Sequence, residues 1–118
     1  MNVISWGKRE KFTFSSCGGL REWAPPTVPA LFAVTYQRDP NNKPKGHTVL
    51  YFGAADDMAR QAGLIKRQMS EIWADENGRP EDLFVFVKAM DGSTVQERSR
   101  ILERLVLEYQ PKANKLIG

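Results

Sequence analysis

A phenol, an arginine and a carboxylate are side chains from which a small site can assemble phosphodiester hydrolysis. That reaction needs a group to activate or orient water, positive charge against the phosphoryl oxygens, and help for the leaving oxygen. Tyr51-Phe52-Gly53 closes the apolar run Thr48-Val49-Leu50 and leads straight into Ala54-Ala55-Asp56-Asp57-Met58, so a tyrosine stands where a strand gives way to a helix. Arg60 follows within that helix. Far downstream, Glu103 lies on a second helical pattern, bordered by Leu102 and Val106; a carboxylate beside an apolar stripe is only partly solvated, which favours a partner. Plainer readings stay open for both. Tyr51 also suits a strand end with its ring in the core, and Glu103 suits a boundary position paired with Arg100 or Arg104. Basic side chains gather as Lys43, Lys45 and His47 in one loop and as Lys66 and Arg67 on the first helix. The net charge of +3 is compatible with a polyanionic partner and is weak evidence by itself.

The elements that must position these groups are readable from periodicity. Ala30 to Tyr36 has the β-branched and aromatic content of a strand, Arg38 to Gly46 is turn chemistry, and His47 to Phe52 returns, which makes a hairpin with a long basic loop. Asp56 or Ala55 is placed to cap a helix whose Met58, Ala62, Ile65, Met69 and Ile72 or Trp73 recur at the spacing of one buried stripe. Leu83-Phe84-Val85-Phe86-Val87 has no polar alternation and suits a central strand buried on both faces. Ser93 with Gln96, or Thr94 with Glu97, offers a capping box for a second helix with Val95, Leu102, Leu105, Val106 and Tyr109 on its core side. A ββαβα order of this kind implies a small α+β sandwich. Residues 1–29 read as an N-terminal extension packing on a 30–118 core. Within the extension, Phe12 and Phe14 alternate with Thr13 and Ser15 as in a short strand, and Leu20 to Trp23 suits one helical turn before Pro25-Pro26.

The composition sets bounds. With 118 residues, 42% hydrophobic and 26% charged, the chain is the size of one domain with a single core. The single Cys17 excludes an intrachain disulfide, and with only His47 beside it no Cys/His zinc site is available, so any metal takes oxygen ligands. No apolar stretch reaches the roughly 18 residues of a membrane span, and the expected location is the cytoplasm.

The order of these features resembles the GIY-YIG nuclease superfamily over Val28 to Lys115. An apolar triplet ending at Phe32, within the run Ala30-Leu31-Phe32-Ala33-Val34, is followed by a Tyr-x-Gly triplet at Tyr51-Phe52-Gly53, a helix, a helical glutamate at Glu103 and Pro111-x-x-Asn114. The resemblance implies a three-stranded antiparallel sheet flanked by helices and a divalent-metal-dependent endonuclease acting on nucleic acid, DNA first. It assigns Tyr51, Arg60 and Glu103 to catalysis, with Glu103 holding Mg2+ or Mn2+, and Gly53 and Asn114 to support of the site, while the charge clusters offer Lys43, Lys45, His47, Lys66 and Arg67 to the phosphate backbone. Three positions depart from the family pattern. Phe32 stands where the first motif ends in tyrosine and lacks its hydroxyl; Gln61 occupies the arginine position, with Arg60 one place early and turned about 100° away on a helix; and Ile65 stands where relatives carry a histidine. The alternative is therefore a degenerate module of the same fold that binds nucleic acid, a protein partner or a second copy of itself without cutting.

Overall fold

The strand Ala-Leu-Phe-Ala-Val-Thr-Tyr has almost no residue fit to face water, and a run of this kind needs cover on both faces and a neighbour at each edge. In the computed structural model, which describes residues 3–25, 27–37 and 46–117, it receives both. The elements run β1 (Val3–Trp6), β2 (Phe12–Gly19), β3 (Ala30–Tyr36), β4 (Thr48–Ala55), α1 (Met58–Ala74), β5 (Leu83–Ala89), α2 (Val95–Tyr109) and α3 (Lys112–Ile117). The strands form one antiparallel sheet in the order β1-β2-β5-β3-β4. β3 is buried from Ala30 to Thr35.

The α+β class stands, but the expected three-stranded sheet is corrected to five strands. Residues 1–29, read as an extension packing on the core, supply the additional two. β2 pairs with the second edge of β5 through Ser15 with Val87, Ser16 with Phe86 and Gly19 with Phe84, and β1 pairs with β2. The physical reason lies in β5: its apolar run would otherwise be an open edge, and edges of that composition recruit other strands. The Phe12/Phe14 alternation does the burying, with Thr13 and Ser15 outward.

Two helices cover opposite faces. Phe32 and Val34 pack with the α1 stripe of Met58, Ala62, Ile65, Met69 and Trp73. Leu31 and Ala33 join Phe52, Phe86, Ile101 and Leu105 under α2. The sheet is curled as well as twisted. Trp6 on β1 has its ring centroid 5.6 Å from Phe52 on β4, at the opposite edge, and 5.3 Å and 5.6 Å from Phe14 and Phe86. These edge-to-face contacts each add about 0.5–1.5 kcal/mol to the burial itself.

The caps show how each helix is aimed. Asp57, rather than Asp56 or Ala55, caps α1, its carboxylate accepting the Arg60 N–H at 3.3 Å. Asp56 is engaged instead by Arg98, an ion pair that joins the β4–α1 junction to the first turn of α2. α2 uses the Thr94–Glu97 capping box and ends at Gln110, whose left-handed φ of 46° turns the chain into Pro111. The following α3 lies along the outer edge of β4: Ala113 is buried in the α1-side core, and Lys112 Nζ meets Glu76 Oε1 at 2.6 Å just beyond the end of α1. Among the described residues no helix is long and apolar enough to cross a membrane.

Candidate functional site

The β3–β4 register shifts between Val34, opposite Tyr51, and Thr35, opposite Val49, which leaves Leu50 as the extra residue of a bulge. A bulge places two successive side chains on one side, and Leu50 and Tyr51 both pack into the α1-side core. Gly53 faces Phe32 across the strands. A Cβ there would stand 2.3 Å from Phe32 Cζ and 2.8 Å from Tyr51 Cε2, so the glycine is what lets the two rings close over the strand with centroids 5.8 Å apart. Phe32 itself is 2% exposed. The position where the resemblance expects a tyrosine is thus occupied by a core ring.

Tyr51 is half-buried, and burial pushes its phenol above the ordinary value. Loss of water penalises the phenolate, so at neutral pH this group is a hydrogen-bond donor that orients a water or phosphate oxygen rather than a resting base. It lines a hollow of about 550 Å3 with Phe52, Leu102, Glu103, Val106, Leu107, Asn114 and Ile117. Tyr51 and Glu103 therefore share one cavity. Asn114 holds its wall: Oδ1 accepts the Phe52 N–H at 2.9 Å and Nδ2 donates to the Phe52 carbonyl at 2.8 Å. One side-chain amide thereby takes the place of a neighbouring strand on the outer edge of β4.

The remaining expected residues lie elsewhere. Arg60 is exposed and lines a second hollow of about 290 Å3 with Asp56, Asp57 and Gln61. Lys66 donates from Nζ to the Arg21 carbonyl at 3.1 Å, and Arg67 is exposed. Ile65 belongs to the core stripe of α1. His47 shares a 2.9 Å hydrogen bond between its Nδ1 and Thr35 Oγ1 and packs its ring against Phe84 and Phe86, and burial lowers its pKa. Its aromatic neighbours belong to the α2-side core, whereas Tyr51 packs into the α1-side core. Lys43 and Lys45 lie outside the described residues.

Among the described residues no group of three or more His, Cys, Asp or Glu side chains is arranged to hold a metal ion. The Tyr51 hollow offers one carboxylate, one phenol and mostly apolar walls. That donor set does not fit a protein cage. It does fit a hydrated magnesium, which keeps most of its waters and binds through one or two carboxylates together with substrate phosphate.

Sequence reasoning missed Arg98. It is 4% exposed, donates to Ser93 O at 3.0 Å and Ser93 Oγ at 2.7 Å, and pairs with Asp56. Its signal was in the spacing: Arg98, Ile101 and Leu105 are the buried residues of α2 and sit at the three-then-four interval of a core stripe. Compared with known proteins, the chain matches no family model, no curated protein and no solved structure.

Proposed function

We propose that the chain is a GIY-YIG-like endonuclease domain that hydrolyses nucleic-acid phosphodiesters, DNA first, with a divalent cation. The observation that carries this reading is that Tyr51, on β4, and the exposed Glu103, on α2, both line one hollow with Asn114 in its wall. A bound magnesium or manganese would supply charge on the phosphoryl oxygens and a bound water. Glu103 would be its protein ligand. The Tyr51 hydroxyl donates to the attacking water or a phosphate oxygen. Arg60, exposed at the start of α1, serves the phosphate from a hollow of its own, and Arg67 with Lys66 meets the backbone along the same helix. Nicking of supercoiled plasmid should require magnesium or manganese and fall about 100-fold or more in Glu103→Ala and in Tyr51→Phe. Nicking that persists unchanged in Glu103→Ala defeats the assignment.

A second reading is favoured by three observations: Phe32 and Ile65 are core residues, and Arg60 lines a hollow other than the one containing Tyr51 and Glu103. On it the domain binds nucleic acid without cutting. That reading expects no nicking with any divalent cation and an affinity for DNA that falls with salt as counterions are released. A salt-independent protein partner would oppose both.

A further inference from the structure

Curling leaves the sheet with an open mouth. α2 roofs the part of the concave face that contains Leu31, Ala33 and Phe52. The rest is a hollow of about 550 Å3 whose lining includes Ile4, Ser16, Gln37, His47, Phe84 and Phe86. This volume lies within the roughly 300–1,000 Å3 of small-molecule sites, and the mouths of curled or closed sheets are a preferred place for them. Phe86 is buried and forms floor, while Phe84, on the central strand, is half-buried and leaves part of its ring to the hollow. His47 stands edge-on to both rings, with centroids 5.2 Å and 4.9 Å away. Thr35 takes its Nδ1, so Nε2 is the ring nitrogen left for a ligand. Ser16 Oγ accepts the Gly18 N–H at 3.3 Å and keeps its own proton to donate. Among the described residues no carboxylate or cationic side chain lines the hollow. Aromatic surface, an imidazole nitrogen, a hydroxyl and the Gln37 amide, without fixed charge among the described lining residues, suit a flat heterocycle with hydrogen-bonding edges better than a phosphate, a metal ion or an acyl chain.

We propose that this mouth is a nucleobase pocket, in which a base stacks on Phe84 and presents its polar edge to His47 and Ser16. It deepens the nucleic-acid reading above by placing an unpaired base of the strand on the sheet face away from Tyr51. Stacking of unpaired bases on aromatic side chains is how single strands are commonly held.

His47 is the chain's only histidine, so its imidazole protons give isolated NMR signals. Without divalent cation, adenosine monophosphate and a single-stranded adenine hexanucleotide should each shift the His47 Hε1 signal saturably, and ribose 5-phosphate should not. Phe84→Leu, which keeps the apolar volume, should raise the midpoint roughly tenfold or more. Ser16→Ala, at an exposed position, should raise it by a smaller factor with the fold intact. Signals that stay fixed with both nucleotides, or a Phe84→Leu variant that binds as tightly as the parent, overturn the pocket. A shift with the mononucleotide and none with the hexanucleotide overturns the strand as the source of the base. Binding is read without cleavage, so an absence of plasmid nicking leaves this result standing.

Discussion

Changing one atom in Asn114 tests how the outer edge of β4 is held. In Asn114→Asp the acceptor that meets the Phe52 N–H at 2.9 Å remains, while the donor that meets the Phe52 carbonyl at 2.8 Å becomes a second carboxylate oxygen facing it. One hydrogen bond is lost and replaced by repulsion between oxygens, which costs about 1–3 kcal/mol in a half-buried setting. Asn114→Ala loses both bonds. At about 1 kcal/mol each, and more if the Phe52 groups stay dry, its cost is about 2–4 kcal/mol, out of a total of about 5–15 kcal/mol for a domain of this size. Urea unfolding followed by tryptophan fluorescence reads these differences, since Trp6 packs against Phe52. Acid gives a second check on the Asp variant. Its carboxyl must be protonated to donate, so the native state raises its pKa, and the deficit should shrink as pH falls from that raised value towards about 4 and level off below it. Hydrogen exchange of the Phe52 amide should accelerate in Asn114→Ala. An Asp variant within about 0.5 kcal/mol of the parent at pH 7 and insensitive to acid, or unchanged exchange in the Ala variant, would refute the clamp.

Gly53→Ala should destabilise by about 1–3 kcal/mol, because the new methyl enters the space of the buried Phe32 ring. In thermal unfolding, adding Phe32→Leu should recover part of that loss, a coupling absent between independent sites. Asp56→Ala should cost at least as much as Arg98→Met, by roughly 1–3 kcal/mol: the first leaves a buried guanidinium without its anion, whereas the second leaves a carboxylate that already faces water. Urea midpoints rank the two. The native His47 imidazole should titrate below the ordinary value of about 6.5. Its contribution to stability is then complete above that value and is lost as pH falls through the lower native midpoint, which NMR titration against unfolding curves will show.

How much of this was legible depended on how local the signal was. The α1 stripe from Met58 to Trp73 is written in consecutive turns, and those residues are the buried ones. The continuous apolar run of β5 pointed to a strand inside the sheet, and β5 is its middle strand. Phe12 and Phe14 marked a strand, but its partner is far along the chain, and no local pattern states which edge a strand will take. The bulge at Leu50 is equally invisible, since a register shift is a property of two strands. α3 is absent from the expected ββαβα order because a six-residue helix after Pro111 carries no periodic stripe of its own and is held by what it packs against, through Ala113, Lys112 and Asn114. At the site, sequence order brought Tyr51 and Glu103 to attention, and the structure puts both on one cavity. Arg60 and His47 were attached to them by composition and order alone, and the structure gives each its own hollow.

The ring of Trp6 wedged between the sheet's two margins also bears on how this domain can be trimmed. A fragment beginning at Val28 would retain every residue that carries the nuclease resemblance. Yet it would bare the hydrogen-bonding flank of β5 over its length and strip the aromatic lid from Phe52 and Phe86. Such a piece would seek a substitute strand, most readily from its own kind, and inactivity in it would report insolubility rather than chemistry.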